Sequence, residues 1–244
     1  MACQSKGNER VSRAYPQPRA DPLDEAFCAR ARPGMTVLDA GCGGARGCSR
    51  GAPWREMTIV GVDVDPAVLE NVFCNERYVA DLAALPFPSG VFDLIHCRWV
   101  FEHLRDPAAV LSEFARVLKP NGRLLALTPN LLHYATLSAW ITPQRFHRWW
   151  WQGHYDPFPT HYRANTARAL RRLCSRAGLR VERLEFIEGV PHYLARWRAA
   201  YLCGVLYQRA VNASALLAWA RQRILLQAAI HRAPIEHCSV AAVD

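Results

Sequence analysis

An acid followed by a glycine-rich loop constrains this chain more than any other feature, in the stretch V-L-D-A-G-C-G-G-A-R-G from Val37 to Gly47. A short apolar run leads into Asp39, and a segment that can start a helix follows the loop. Glycine at 41 and 43 lets bare backbone approach a ligand at φ values that a side chain disfavours, while a helix N-terminus faces the ligand's polar groups. The stretch predicts the strand, turn and helix start of a nucleotide-binding βαβ unit.

A second apolar run ends in an acid 24 residues after Asp39, where Thr58 to Val62 leads into Asp63. A carboxylate about 20 residues beyond the first acid is placed to accept both hydroxyls of a ribose. A loop that held only a phosphate would not need it, so the pair of motifs predicts a nucleoside-containing ligand.

Three further motifs follow in order, and the whole set spans Met35 to Asn130. They read Y-V-A-D-L-A-A-L-P-F-P-S-G-V-F-D-L-I-H-C, F-E-H-L-R-D-P and F-A-R-V-L-K-P-N-G-R-L-L-A-L-T-P-N. With them the chain resembles class I S-adenosylmethionine (SAM)-dependent methyltransferases of the small-molecule "type 11" kind. Ala45 stands where that family carries a third glycine, and alanine is small enough for the loop to persist.

The resemblance implies a Rossmann-like α/β fold, with a seven-stranded, mostly parallel sheet and helices on both faces. It further implies an insertion after strand 5, a helical pair before an antiparallel strand 7, and SAM as cofactor. Residues 224–230 fit helix or strand by period, and the resemblance favours the strand. The expected helices cover 21–32, 48–55, 66–74, 108–118, 166–177, 193–208 and 214–223, and the other strands cover 36–39, 58–62, 78–80, 91–97, 123–128 and 179–187.

Length and composition fit one domain. The 244 residues suit a single α/β unit over 21–232, with flexible tails at 1–20 and 233–244. The formal charge of +9 is almost entirely arginine, which a base-composition bias in the gene explains as well as an acidic partner does. The nine cysteines form no C-x-x-C pair, and no apolar signal core or membrane-spanning run is seen, so we expect a cytoplasmic protein with reduced thiols.

The resemblance also assigns residues to the cofactor. Gly41 and Gly43 would pass under its methionine part, and Asp63 would hold the ribose. Asp81 would accept from the adenine amino group while the Leu82 amide meets a ring nitrogen, although Asp81 alternatively only caps a turn. The full set of expected cofactor residues is Asp39, Gly41, Cys42, Gly43, Asp63, Val64, Asp81, Leu82, Cys97 and Arg98.

His103 is the candidate catalytic residue. An imidazole beyond the fourth strand could take a proton from an acceptor hydroxyl, since its ordinary pKa lies near neutral pH. Alternatively it only shapes the pocket. The Glu102-His103 pair is similar to that of quinone-biosynthesis O-methyltransferases, some of which add an earlier acid to hold a divalent metal; Trp99 stands at that earlier position here, so we expect no metal.

The segment 131–162 predicts a lid over the acceptor, because it is rich in aromatic residues and histidines, is broken by prolines and follows the fifth strand. His147, His154 and His161 lack the paired spacing of an ordinary zinc site. Arg163 could pair with an acidic group of the acceptor, and the aromatics could alternatively form the lid's own small core. The expected acceptor residues are Trp99, His147, Trp150, His154, Tyr155, His161, Tyr162 and Arg163.

The helical insertion over 190–223 carries aromatics and arginines but no acid. It could rest on a membrane surface over 193–223, cover the active site or form a homodimer contact. The favoured function is transfer of the SAM methyl group to a nucleophile, oxygen before nitrogen or carbon, on a small or lipid-like metabolite. The alternatives are a catalytically silent SAM-binding module and a nucleic-acid methyltransferase. C-R-W-V stands where the latter class carries N/D-P-P-Y, so nucleic acid is not the expected partner.

Overall fold

The computed structural model describes residues 21–44, 56–142, 158–194 and 197–230. The helix expected over 48–55 and both terminal tails lie outside these ranges. In chain order the elements are α1 (Pro22–Arg30), β1 (Thr36–Ala40), β2 (Thr58–Asp63), a 3-10 helix (Pro66–Glu70), β3 (Glu76–Val79), β4 (Phe92–Arg98), α2 (Pro107–Val117), β5 (Leu118–Pro129), α3 (Tyr134–Ile141), α4 (Ala167–Arg176), β6 (Leu179–Ile187), a 3-10 turn (His192–Leu194), α5 (Arg198–Ala213), a 3-10 helix (Ala215–Ala220) and β7 (Arg223–Ile230).

The seven strands form one sheet in the order β3-β2-β1-β4-β5-β7-β6. β7 runs antiparallel to both neighbours, and the remaining pairings are parallel. The predicted Rossmann-like sheet and the strand assignment of 224–230 are therefore confirmed. The order of strands reverses between β1 and β4, and such a reversal opens a crevice at the carboxyl edge of the sheet where ligands bind.

Helices cover both faces because the central strands are apolar on both sides. Alternation sends Leu38 and Ile95 to one face and Val37 and Leu94 to the other. Aromatic side chains of α1 and α2 fill the two layers, and the fully buried phenylalanines include Phe27 and Phe114.

The helix expected over 66–74 is shorter than the pattern indicates. Asp65 caps it by accepting from the Ala67 amide, but the 3-10 helix ends at Glu70 because the next side chain is used elsewhere. Asn71 is fully buried, and its Nδ2 donates to the Gly43 carbonyl at 2.9 Å. A tertiary contact to the glycine loop thus ends the helix.

Two other segments differ from expectation. β5 begins at Leu118 rather than Arg123, because the expected turn at 120–122 is a bulge: Phe92 pairs with Leu118 and Leu94 with Arg123. The helix expected over 193–208 begins only at Arg198 and runs to Ala213, and the next one shortens to Ala215–Ala220. The chain folds back before α5 so that Pro191 and Leu194 approach Gly204, where a Cβ would lie about 3 Å from both.

The cap of α2 gives a test of local stability. Asp106 Oδ1 accepts from the amides of Ala108 and Ala109, at 3.1 Å each. We expect Asp106→Ala to lower the free energy of unfolding by about 1 kcal/mol, since both amides lose their acceptor. Asp106→Asn retains the acceptor oxygen, so its free energy of unfolding should lie within a few tenths of a kcal/mol of the wild-type value. Urea unfolding followed by circular dichroism would measure both, and equal losses would contradict the capping argument.

Candidate cofactor and acceptor site

The glycine loop is held open between β2 and the loop after β4. Gly41 and Gly43 have φ of 72° and 57°, the left-handed region that favours glycine. The Gly41 amide donates to the Val62 carbonyl at 2.8 Å. A Cβ on Gly41 would lie 2.2 Å from Val100 Cγ2, so a side chain there is excluded. Gly41 therefore packs bare backbone against Val100, while the space beside Gly43 is open, and the contact of both glycines with the methionine part of the cofactor stays a prediction.

Asp63 ties this loop to β2. Its Oδ2 accepts from the Gly43 amide at 2.8 Å, and its Oδ1 accepts from the Asp65 amide at 2.9 Å. Each carboxylate oxygen has a second lone pair, so the two amides leave acceptor capacity for ribose hydroxyls. Val64 beside it is exposed and offers an apolar surface. These groups fit the nucleoside part of SAM.

Asp81 lies in a turn. Its Oδ1 accepts from the Ala83 amide at 2.9 Å, and its carbonyl accepts from the Ala84 amide. The turn-capping alternative thus has direct support, and the adenine contact of Asp81 and the Leu82 amide stays a prediction. The Leu82 side chain is buried in the core, so only its backbone could take that role.

Asp39 faces the neighbouring strand. Its Oδ1 lies 3.0 Å from His96 Nδ1, and both side chains are buried. The acceptor atoms of Asp39, Cys42 and Cys74 lie within 4.8 Å of one another, with both sulfurs packed over Gly61. A hydrogen bond to Cys74, burial and the nearby carboxylates raise the pKa of the Cys42 thiol far above its ordinary value. The Cys42 thiol therefore remains protonated at neutral pH.

Cys97, Arg98 and Trp99 follow one another at the end of β4, and each lies in a different environment. Cys97 is buried in the core, and burial raises the pKa of its thiol well above 9.0. The Arg98 guanidinium pairs with Asp21, which caps α1, and with Asp24 in its first turn, so it holds that helix against the carboxyl edge. Trp99 is half-exposed with φ of 56°, a conformation that costs a non-glycine residue energy and that concentrates at functional sites.

His103 and three of the expected acceptor residues come together. The His103 Nδ1 lies 3.1 Å from the Pro159 carbonyl, which only accepts, so Nδ1 carries the hydrogen and Nε2 is the nitrogen able to take a proton. The amides of His161 and Tyr162 donate to the Glu102 carbonyl, and Arg163 donates to the Arg105 carbonyl at 2.6 Å. Segment 158–163 therefore lines the loop after β4.

Other expected acceptor residues cannot be placed. His147, Trp150, His154 and Tyr155 lie outside the described residues, so their roles stay predictions.

The Glu102 side chain is buried and accepts from Thr128 Oγ1 at 3.3 Å. Asn165 extends this network by donating to the same hydroxyl at 2.7 Å.

A second buried cluster lies beyond β5 and β6, and sequence reasoning missed it. His133 Nε2 lies 3.7 Å from Glu188 Oε1, with side-chain exposures of 0% and 4%. His133 Nδ1 accepts from the Ala135 amide and so caps α3. Three tyrosines of the two insertions surround the pair, in contact with His133 or with one another: Tyr134, Tyr193 and Tyr207.

Burial controls the protonation of this pair. It lowers the pKa of His133 to about 4 and raises the pKa of Glu188 to about 7, although the Gln222 and Gly189 amides and the charges of Arg223 and Arg221 act to lower the latter. Near neutral pH, His133 is therefore uncharged and Glu188 titrates. No local sequence signal marks either residue, because they meet only through the tertiary fold.

Comparison with known proteins decides the family. A family model described as a methyltransferase domain matches residues 11–184, well over half of the chain. The chain belongs to the class I SAM-dependent methyltransferase family. It is 32% identical over 154 residues to a probable SAM-dependent methyltransferase of Mycolicibacterium smegmatis, covering 61% of this chain and 53% of the relative. It is also 34% identical over 118 residues to a ubiquinone biosynthesis O-methyltransferase of Pseudomonas paraeruginosa, covering 44% and 50%.

Solved structures share the fold of this methyltransferase. YcgJ from Bacillus subtilis superposes with a TM-score of 0.57 at 18% identity, covering 86% of this chain and 98% of that one. Geranyl diphosphate C-methyltransferase from Streptomyces coelicolor A3(2), in complex with Mg²⁺, geranyl diphosphate and S-adenosyl-L-homocysteine, gives 0.53 at 17% identity, covering 91% and 80%. The methyltransferase spans about half the length of the first two relatives above.

The contacts of Asp63 predict its contribution to cofactor binding. Asp63→Ala should weaken SAM affinity roughly 10- to 100-fold, on the order of one or two charge-assisted hydrogen bonds, with loss of the Gly43 anchor adding to the effect. Asp65→Ala is the control, because the Asp65 carboxylate lies close by but caps the 3-10 helix. It should bind SAM within a few fold of the wild type in isothermal titration. Unchanged affinity in Asp63→Ala would remove Asp63 from the site.

The buried pair predicts an unusual pH dependence of stability. The Glu188 pKa is raised on folding, so its contribution is complete below about pH 4.5 and is lost as the pH rises through about 7, on the order of 2–3 kcal/mol. The His133 pKa is lowered, so its contribution is complete above about 6.5 and is lost as the pH falls towards about 4. The two slopes oppose each other between about pH 4.5 and 6.5.

Glu188→Gln should therefore remove the wild-type loss of stability between about pH 6.5 and 7.5, and it should uncover the full acid-side loss of His133 between about pH 6.5 and 4. His133→Asn retains an acceptor for the Ala135 amide and should remove the acid-side loss instead. Urea unfolding at half-unit pH steps would compare the three proteins. A wild-type slope that Glu188→Gln leaves intact would show that another group titrates.

Proposed function

We propose that this methyltransferase moves the methyl group of SAM to a nucleophile on a small or lipid-like metabolite, with oxygen as the favoured acceptor atom. The observation that carries the proposal is the Gly41–Gly43 loop, which Asp63 anchors at the reversal of strand order. It combines bare backbone, a carboxylate and an apolar neighbour in the crevice where a nucleoside cofactor fits.

Bound SAM supplies an electrophilic methyl carbon. The chain's own task is alignment and exclusion of water, because a direct displacement needs the nucleophile, methyl carbon and sulfur in line. The left-handed Trp99 at the end of β4 and the segment 158–163 border the space in which an acceptor would be held. The strain at Trp99 supports a functional role for that position.

His103 is the proposed proton acceptor. With its Nδ1 hydrogen donated to the Pro159 carbonyl, the imidazole presents Nε2 as its basic nitrogen. Removal of a hydroxyl proton as the methyl group arrives would leave a neutral ether product. The ubiquinone biosynthesis relatives are named O-methyltransferases, which supports oxygen as the acceptor atom.

The segment 131–162 is the proposed lid. Its aromatic composition supports an acceptor larger and more apolar than a simple amino acid or sugar. Replacement of Trp150 and Tyr155 together by alanine should leave SAM affinity within a few fold while abolishing transfer to the acceptor.

Isothermal titration with SAM and S-adenosyl-L-homocysteine tests the cofactor, and transfer of a tritiated methyl group into fractionated lipid and metabolite extracts tests the reaction. Well-folded protein that binds neither compound would refute the proposal. A silent module would bind SAM and label no fraction, and label confined to added RNA or DNA would support a nucleic-acid substrate instead.

The His103→Gln variant distinguishes a general base from a residue that only shapes the pocket. As a general base, His103 contributes roughly 10²- to 10⁴-fold to kcat, so the substitution should lower kcat by that factor with unchanged SAM affinity. A changed KM with nearly normal kcat would show that His103 only shapes the pocket.

A further inference from the structure

The outer face of α5 carries an exposed stripe of mixed apolar and basic character. Arg198, Leu202, Leu206 and Arg209 follow one another at intervals of four, four and three residues, so they share one side of the helix. Leu202 and Leu206 are 61% and 63% exposed, whereas Val205 and others on the opposite side are buried. The helix is anchored on one side and presents leucines to solvent on the other.

Neighbouring segments enlarge this surface. After α5, Leu216 is 86% exposed, and α3 exposes Ile141. The two regions adjoin, because the Tyr134 and Tyr207 rings lie 4.8 Å apart and Asn130 Nδ2 donates to the Trp219 carbonyl. We call this surface the apolar rim; its exposed members are Leu132, Leu137, Trp140, Ile141, Trp197, Leu202, Leu206, Leu216, Leu217 and Trp219.

The apolar rim borders the carboxyl edge of the sheet. α3 follows β5 directly, and the 3-10 helix Ala215–Ala220 leads into β7 at the same edge. This is the edge that carries the glycine loop and the end of β4. Monomeric soluble proteins rarely expose apolar patches of this extent unless the patch binds something.

Charge identifies the occupant. From Gly189 to Ile230 the chain contains no aspartate or glutamate, and its arginines include Arg198 and Arg209 on the exposed stripe. Two copies meeting about a two-fold axis would bring equivalent arginines together, which like-charge repulsion disfavours. An anionic bilayer satisfies both features, since its headgroups meet the arginines and its acyl boundary receives the leucines and tryptophans.

We propose that the apolar rim docks this methyltransferase on the surface of an anionic lipid bilayer, so that an amphiphilic acceptor enters the site from the membrane. Among the described residues, no helix has the length and apolar character that crossing a bilayer requires. Docking rests on the rim alone, while entry of the acceptor from the membrane rests on the proposed function.

Vesicle co-sedimentation tests the docking. Full-length protein should sediment with vesicles of phosphatidylcholine mixed with phosphatidylglycerol, much less with phosphatidylcholine alone, and less as salt rises. Leu202→Ser with Leu206→Ser should weaken binding roughly tenfold or more. Arg198→Gln with Arg209→Gln should weaken binding to the anionic vesicles by roughly fivefold for each arginine.

Leu69→Ser with Val72→Ser is the matched control, because both side chains are exposed apolar residues near β3, outside the rim. It should sediment like the wild type. Absence of wild-type binding, or an equal loss in the control, would overturn docking. A lipid-free dimer that Leu202→Ser with Leu206→Ser converts to monomer would assign the rim to a second copy and overturn it as well. SAM titration of each protein tests the proposed function separately.

Discussion

The carboxylate of Asp63 fixes the geometry on which the rest of the site depends. By accepting from the amides of Gly43 and Asp65, it joins the glycine loop of β1 to the end of β2. Buried Asn71 donates to the Gly43 carbonyl. A loop with two left-handed glycines has many accessible conformations in the unfolded chain, and these three hydrogen bonds select one of them. The cofactor crevice is thus preorganised by protein contacts rather than by glycine content alone.

Two buried acids, Glu102 and Glu188, lie at the carboxyl edge of the sheet, and each belongs to a different network. Glu102 sits within a network of Thr128 and Asn165, while its carbonyl holds the segment after the proposed lid. Glu188 instead faces the uncharged His133 under a cover of tyrosines. Buried polar groups are costly unless they are satisfied, so each network fixes the position of the insertion that completes it. These polar contacts therefore help to dock the insertions, while the leucines on the outer face of α5 point to solvent.

This division accounts for the apolar rim. The contact between the Tyr134 and Tyr207 rings holds α3 against α5, and the Tyr207 hydroxyl donates to the Ala220 carbonyl, so the exposed leucines and tryptophans of these helices are not needed for internal packing. Apolar surface that stays exposed after folding is unfavourable in water, and a large exposed patch indicates a binding partner. The rim lies beside the cofactor crevice, so docking on a membrane would bring the site close to an amphiphilic acceptor. The membrane proposal and the catalytic proposal rest on separate observations.

The sequence by itself determined the elements that depend on local pattern. Short apolar runs ending in acids predict β1 and β2, and the side-chain caps Asp21, Asp106 and Thr166 begin α1, α2 and α4 where expected. These features were readable because neighbouring residues decide them. The antiparallel seventh strand was indicated only by the family resemblance, since period alone left it open.

Only the tertiary structure decided how distant residues meet. Asn71 ends a helix because of the glycine loop, and Arg98 pairs with Asp21 and Asp24 at the start of α1. His133 and Glu188 lie 55 positions apart, and neither carries a motif. Their altered pKa values arise from burial, which depends on the packing of α3 and α5 over the sheet edge. Local pattern encodes where a strand or cap lies, but the environment of a buried charge is a property of the assembled fold.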